Sequence, residues 1–154
     1  MSTDKAAEIV TERMSGENAG IDFSIIEAFF FAYRDFTSDP DAILDTYGFG
    51  RAHHRVLHFV NRKPGLTVAE LLEILRITKQ SLARVLKQLI DSGHIAQLTG
   101  PKDKRQRELY PTQKGRELAL KLAQPQAMRI AHALKLTGKE AQTQVESFLK
   151  SMVD

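Results

Sequence analysis

The stretch PGLTVAELLEILRITKQSLARVLKQLIDSGHI, Pro64–Ile95, holds two helical patterns separated by a tight break. Thr67 followed three residues later by Glu70 is a capping box, in which each side chain satisfies a backbone N–H at a helix start. Val68, Leu71, Leu72 and Leu75 then recur at helical spacing and supply one buried stripe. Arg76-Ile77-Thr78 interrupts it, and Thr78 caps a second helix whose apolar positions are Leu82, Val85, Leu86, Leu89 and Ile90. Gly93, free to take the left-handed conformation, ends that helix. Its opposite face presents Lys79, Gln80, Ala83, Arg84, Lys87 and Gln88, with no acidic residue before Asp91.

Beyond Gly93 the period shifts toward strands. Ile95–Leu98 and Arg107–Tyr110 read as the arms of a hairpin, and Pro111, which cannot donate to a ladder, closes the second arm. The tip, Thr99–Gln106, opens with turn residues and carries Lys102, Lys104 and Arg105. Thr112 caps a long helix bearing Leu118, Leu122, Met128, Ile130 and Leu134, in which Pro125 predicts a kink or break near Ala123–Gln124. Thr137 with Glu140 repeats the capping box, and Val145, Phe148, Leu149 and Met152 give a last helix its apolar face. Upstream, Lys63-Pro64-Gly65 is a turn, and a helix over about Arg51–Arg62 buries Val56, Leu57, Phe59 and Val60. From Asp22 a wide apolar helix carries Ile25, Ile26, Phe29, Phe30, Tyr33 and Phe36, and Ser38 or Asp39 before Pro40 predicts a separate short helix over DAILDTYG. Thr3–Met14 is a further helix candidate, with Ser15–Gly20 as a flexible break.

The 154 residues include 42% hydrophobic and 27% charged side chains, enough to build a core and too balanced for wholesale disorder. With no cysteine there are no disulfides, thiolate metal sites or cysteine nucleophiles. The polar start MSTDKAAEIVTE lacks the form of a signal peptide, and apolar runs are short, so the chain is expected to be soluble and cytoplasmic. Net charge is only +3 but is unevenly spread: residues 1–47 hold three basic and ten acidic groups, whereas Arg76–Arg116 hold ten basic and three acidic ones. Such polarity suits one face for a polyanion, or an ordinary mixed surface in which charge runs solvate helices.

Helix, tight turn, basic-faced helix and basic hairpin form the order of a winged helix-turn-helix, a mainly α fold with a two-stranded β-wing. An α-helix fits the major groove of B-DNA, where side chains near its N-terminus reach base edges. On that reading Gln80 can bond adenine, Arg84 guanine, and Ser81 a base or phosphate, while Lys79, Lys87 and Thr78 at the helix start lie toward phosphates. A tip bearing Lys102, Lys104 and Arg105 is narrow enough for a minor groove. The competing reading of Gln80 and Arg84 is an exposed, solvated helix face, and Lys114 and Arg116 divide between backbone contact and a solvated helix start.

Together with Asp103-Lys104-Arg105 in the hairpin and PTQKG after it, the Pro64–Ile95 stretch resembles the MarR family of transcriptional regulators, over roughly Phe49 to Leu122. The most specific element is the Asp-x-Arg of the wing, its arginine seven residues before Thr112 and ten before Gly115. The resemblance implies that Asp103 braces the wing by pairing with an arginine and that Arg105 enters the minor groove. It further implies an obligate dimer interlocked through N- and C-terminal helices, a ligand cleft between the dimer region and the DNA-binding lobe, and repression more than activation. Pro111 departs from the family, which usually has an aliphatic residue there. The FFFAY segment, too apolar for a lone surface helix, supports intertwined ends, with packing inside one chain as the alternative. The expected organisation is N-terminal dimerisation helices over 1–47, a DNA-binding lobe over 48–112 and C-terminal dimerisation helices over 113–154.

His53, His54 and His58 form the other constellation. His54 and His58 stand at i, i+4, a spacing that can chelate Zn²⁺, but no HExxH glutamate separates them, and Asp45, His132 or a second chain would have to complete a site. They are expected as satisfied interface residues or, by the resemblance, as lining of the ligand cleft, to which Tyr33 and Arg34 are the further candidates. No GxSxG, GxxxxGK[ST] or GxGxxG is present, YGFG lacks a third glycine, and Asp39, Asp41 and Asp45 fit helix-start charge, so no enzyme, catalytic residue, resident metal or cofactor is expected. The residues and the resemblance together point to a homodimeric regulator binding double-stranded DNA at a pseudopalindromic site, with a possible small-molecule effector. The alternative is a metal- or small-molecule-binding module built on the histidine helix without DNA binding.

Overall fold

The structure is a computed structural model and describes residues 20–154; the Thr3–Met14 helix expectation and most of the Ser15–Gly20 break lie outside the described residues. The chain divides into two units, one ending at Asp35 and one comprising Phe36–Asp154. Among the described residues six helices and a small sheet follow in the order α1 (Phe23–Asp45), α2 (Arg51–Arg62), β1 (Leu66–Thr67), α3 (Val68–Leu75), α4 (Lys79–Asp91), β2 (Ile95–Thr99), β3 (Arg107–Pro111), α5 (Gln113–Thr137) and α6 (Ala141–Ser151).

Helix α1 starts where Asp22 Oδ1 accepts from the amides of Ser24 and Ile25, at 3.0 and 3.3 Å. In the unit ending at Asp35 its apolar side chains are exposed, Phe30 at 70%. The expected separate helix at Pro40 is absent: α1 runs through it. Proline withdraws the N–H that would have met the Phe36 carbonyl. That carbonyl instead accepts from Gln126 Nε2 of α5 at 3.3 Å, while Asp39 holds Arg129 at 3.0 Å. Both of these α5 residues follow Pro125 within about one turn, and α5 continues through that proline without a break. Pinned through Leu118 and Leu122 on one side and through Gln126 and Arg129 on the other, the helix tolerates its proline.

The core of the Phe36–Asp154 unit gathers Leu44, Val56, Leu57, Val60, Leu71, Leu82, Leu89, Ile95, Leu109 and Leu122, all essentially inaccessible. Every expected stripe of the Pro64–Ile95 stretch contributes to it. The wing hairpin pairs as an antiparallel ladder from Ile95 opposite Pro111 to Thr99 opposite Arg107. A third strand joins it, since Leu66 and Thr67 pair with Leu109 and Glu108 and give the order β1-β3-β2. Two residues after a turn show no alternation, which is why this strand had no trace in the sequence.

Of the first expected capping box only the Thr67 half forms, since the Glu70 carboxylate accepts from Lys63 Nζ at 3.0 Å instead; the second does not form. Thr137 is the last residue of α5 and its hydroxyl donates to Ala133 O at 2.8 Å; α6 begins after Glu140 without a side-chain cap. No residue of α6 is buried, and Val145, Phe148, Leu149 and Met152 all stay exposed. Among the described residues no helix is long and apolar enough to cross a membrane.

Candidate nucleic-acid interface

Helix α3 ends at Arg76, whose left-handed backbone (φ 51°) turns the chain within two residues into the cap of α4. Thr78 Oγ1 accepts from Ser81 N at 3.1 Å and donates to Ser81 Oγ at 2.9 Å, so the Thr78 hydroxyl is already engaged in starting the helix. Ser81 is half-buried beside it. Leu82, Val85, Leu86 and Leu89 anchor one face of α4 in the core, and Lys79, Gln80, Arg84 and Lys87 are exposed on the other. Lys87 is held by Asp91 at 2.7 Å, which raises its pKa, whereas Arg84 has no hydrogen-bond or ion-pair partner among the described residues.

The wing tip is shaped by its own aspartate. Asp103 Oδ1 accepts from Arg105 N at 2.9 Å and from Arg105 Nε at 3.4 Å. Gln106 N donates to Asp103 O at 3.0 Å and Gly100 N to Gln106 O at 2.7 Å, closing the loop. Asp103 thereby folds the turn while the Arg105 side chain stays 94% exposed, with Lys102 and Lys104 beside it in solvent.

A cavity of about 710 Å³ lies between α3, α4 and the wing. Lys79 and Lys87 line it from α4, Arg105 and Arg107 from the hairpin, over a floor of Val68, Leu72, Leu82, Leu86 and Ile90. The two cationic projections therefore share one concave side of the lobe. Arg107 was not singled out from the sequence, although its place opposite Thr99 at the mouth of the ladder follows from strand alternation.

The histidines part company. His53 stands at the start of α2, where its Nδ1 accepts from Gly50 N at 3.0 Å and its Nε2 faces Gln88 Oε1. His54 is half-buried, and its pKa is pushed down by burial and then by His58; that of His58 is lowered by burial and then by Arg62. No three His, Cys, Asp or Glu side chains gather into a metal-binding group among the described residues, so neither Asp45 nor His132 completes a site there. Tyr33 and Arg34 belong to the unit ending at Asp35; Arg34 binds Asp35 at 2.9 Å and lies over the Phe31 ring at 5.1 Å.

Sequence reasoning passed over His94, which is 2% exposed at the junction of α4 and β2. Ser92 Oγ donates to Leu89 O, so the 2.7 Å contact between Ser92 Oγ and His94 Nδ1 places the imidazole proton on Nδ1. Nε2 is left buried without a partner, and the ring stands nearly perpendicular to those of Tyr47 and Phe49, 5.8 and 5.4 Å away. Burial, followed by the Lys114 charge, lowers the His94 pKa. A histidine whose folded pKa is depressed gives full stability above its ordinary value of about 6.5 and loses it as the pH falls below that value. Melting temperature should therefore decline from pH 7 to pH 5, His94 contributing at most about 1.4 kcal/mol per pH unit in that window. His94→Phe should flatten the decline, and an unchanged slope would show that the other histidines carry it.

Capped α3, tight turn, core-anchored cationic α4 and braced hairpin define a winged helix-turn-helix of the MarR type, and the chain belongs to the MarR family of transcriptional regulators. The family model matches residues 47–106. The chain is similar to the HTH-type transcriptional regulator PetP of Rhodobacter capsulatus, with 50% identity over 129 residues, 84% of this chain and 78% of that protein. Its fold is also that of a MarR family regulator from Listeria monocytogenes complexed with 26mer DNA, at TM-score 0.71 and 20% identity over 82% of this chain and 85% of that one. NadR in complex with 4-hydroxyphenylacetate has the same fold, at TM-score 0.71 and 19% identity over 83% and 91% of the two chains.

Proposed function

We propose that this regulator binds double-stranded DNA as a homodimer, each subunit laying α4 in a major groove and the Arg105 tip in the adjoining minor groove. The observation that carries this reading is the shared concavity, in which Lys79 and Lys87 of one projection face the same space as Arg105 and Arg107 of the other. Lys79, Arg105 and Arg107, with Lys87 paired to Asp91 at the same rim, leave the hollow net cationic and match a phosphate backbone that runs between two grooves. Gln80 and Arg84 are the base readers, Lys102 and Lys104 support the wing tip, and Thr78 and Ser81 serve through the geometry of the helix start. Residues 48–112 form the DNA-binding lobe, with 1–47 and 113–154 as the dimerising ends. The exposed apolar side chains of α1 and the wholly unburied α6 support that division, because faces of this size are covered in a functional assembly. Two-fold symmetry then calls for a pseudopalindromic site with half-sites roughly 34–36 Å apart. The action is repression in the cytoplasm, relieved by a small ligand that binds better when the two lobes are wrongly spaced for DNA. The ligand-bound NadR fold supports a small-molecule effector, and His54, His58, Tyr33 and Arg34 are its candidate contacts.

Selection of bound duplexes from a random pool tests the reading directly. A two-fold-related motif should emerge, and affinity for it should fall steeply with salt as counterions are released. Zinc binding measured by calorimetry together with indifference to every duplex would establish the histidine module instead. Arg105→Ala should weaken binding most for sites whose half-sites are flanked by A·T pairs, because a narrow minor groove attracts arginine. Equal losses on A·T and G·C flanks would remove the groove contact.

A further inference from the structure

The DNA-reading helix is gripped at its far end by a residue of α2. His53 Nδ1 accepts the Gly50 N–H at 3.0 Å, so that nitrogen carries no proton and Nε2 does. Nε2–H then donates to Gln88 Oε1 across a 2.5 Å contact between residues 35 apart in sequence. Gln88 sits one turn beyond Arg84 on the exposed side of α4, where composition alone would offer it to DNA. Its carboxamide oxygen is instead committed to α2.

The ring is not free to turn. It stacks on Phe49 at 4.7 Å and 13°, Phe49 stacks on Tyr47 at 5.8 Å and 14°, and Lys121 of α5 lies 5.8 Å over the Tyr47 ring. The His94 ring, just beyond the C-terminal end of α4, packs nearly perpendicular to both Tyr47 and Phe49. The YGFG segment, without use as a phosphate loop, thus forms a stack of planes between α5 and the hydrogen bond that holds α4.

Resting on the DNA-binding reading above, we propose that His53 and Gln88 are positioning residues which fix the pitch of α4, so that Gln80 and Arg84 meet base edges in register. A hydrogen bond near one end of a 13-residue helix restrains the direction of the other end, and base readout depends on direction more than phosphate attraction does. Loss of the contact should lower discrimination between sequences while leaving general affinity for DNA in place.

The test is a double-mutant cycle on the full chain. Affinity is measured for the tightest duplex from the random pool and for a random-sequence duplex of equal length. Gln88→Ala removes an exposed side chain and leaves the α2 cap intact. His53→Gln keeps an acceptor for Gly50 N–H, as glutamine does at this position of a capping box, but gives up the stacked donor. Each variant should reduce the ratio of the two affinities about tenfold, and the double variant should fall no further than either. Two tenfold losses that multiply to about a hundredfold, or equal weakening on both duplexes, would overturn the positioning role. So would a His53→Gln protein with the wild-type ratio, since the cap would then be the whole function of His53. A wild-type chain that treats all duplexes alike would overturn the DNA-reading assignment and this one with it, a result the variants are not needed to recognise.

Discussion

Gly115→Ala should lower the stability of the Phe36–Asp154 unit by about 3 kcal/mol, although alanine is the better helix former by about 1 kcal/mol. A Cβ at this position would lie 2.0 Å from His94 O and 3.0 Å from His94 C, far inside contact distance. The obstacle is backbone, so no rotamer change relieves it. His94 is tied by its own N–H to Leu89 O at 2.9 Å and by its carbonyl to Thr112 N at 3.2 Å. The Thr112 hydroxyl donates to Gly93 O at 2.6 Å and accepts from Gly115 N at 3.0 Å. Moving α5 away would break this junction, where α4, the wing and α5 meet. Urea unfolding should show a lower midpoint with an unchanged slope. A midpoint at or above that of the wild type would mean that α5 slides without cost, and the junction would not be rigid.

Arg84→Ala should cost about 1–3 kcal/mol per half-site on the best operator, hence about 2–6 kcal/mol for a dimer engaging both. The guanidinium is exposed on α4 with no partner among the described residues, so the substitution removes no internal contact and should leave the free energy of unfolding within about 0.5 kcal/mol of the wild type. Binding should lose sequence preference at the contacted base pair, read by repeating the selection with the variant. Equal losses on operator and random duplex would make Arg84 a phosphate contact. The neighbouring Lys87 should be far less sensitive, because Asp91 already neutralises part of its charge at 2.7 Å.

The helix-turn-helix was legible in the sequence because its determinants are local. Thr67 and Thr78 each bond the amide three residues on, at 3.1 Å in both cases, and the apolar positions between them face inward as their spacing required. Asp103 and Arg105, two residues apart, brace and project within one turn. The misreadings share the opposite character. Pro40 read as a fresh helix start and Pro125 as a kink or break, and neither breaks its helix, because α1 and α5 hold each other through Phe36–Gln126 and Asp39–Arg129, pairs 90 residues apart. Thr137 matched a cap pattern, yet its hydroxyl turned back to Ala133. His53, grouped with the i, i+4 pair His54 and His58 but given no role of its own, acquires one only where the fold brings Gln88 to it.

Residue order by itself therefore determined the Thr67, Thr78 and Thr112 caps, the buried stripes of the helix-turn-helix, the hairpin and the cationic character of the lobe, since each depends on neighbours within about one helical turn or one strand pairing. Tertiary structure decided which side the two cationic projections share, where β1 docks, why Gly115 admits no side chain and what His53 and His94 do. Those outcomes depend on groups separated by tens of residues, whose meeting is set by packing of the whole unit and has no periodicity to announce it.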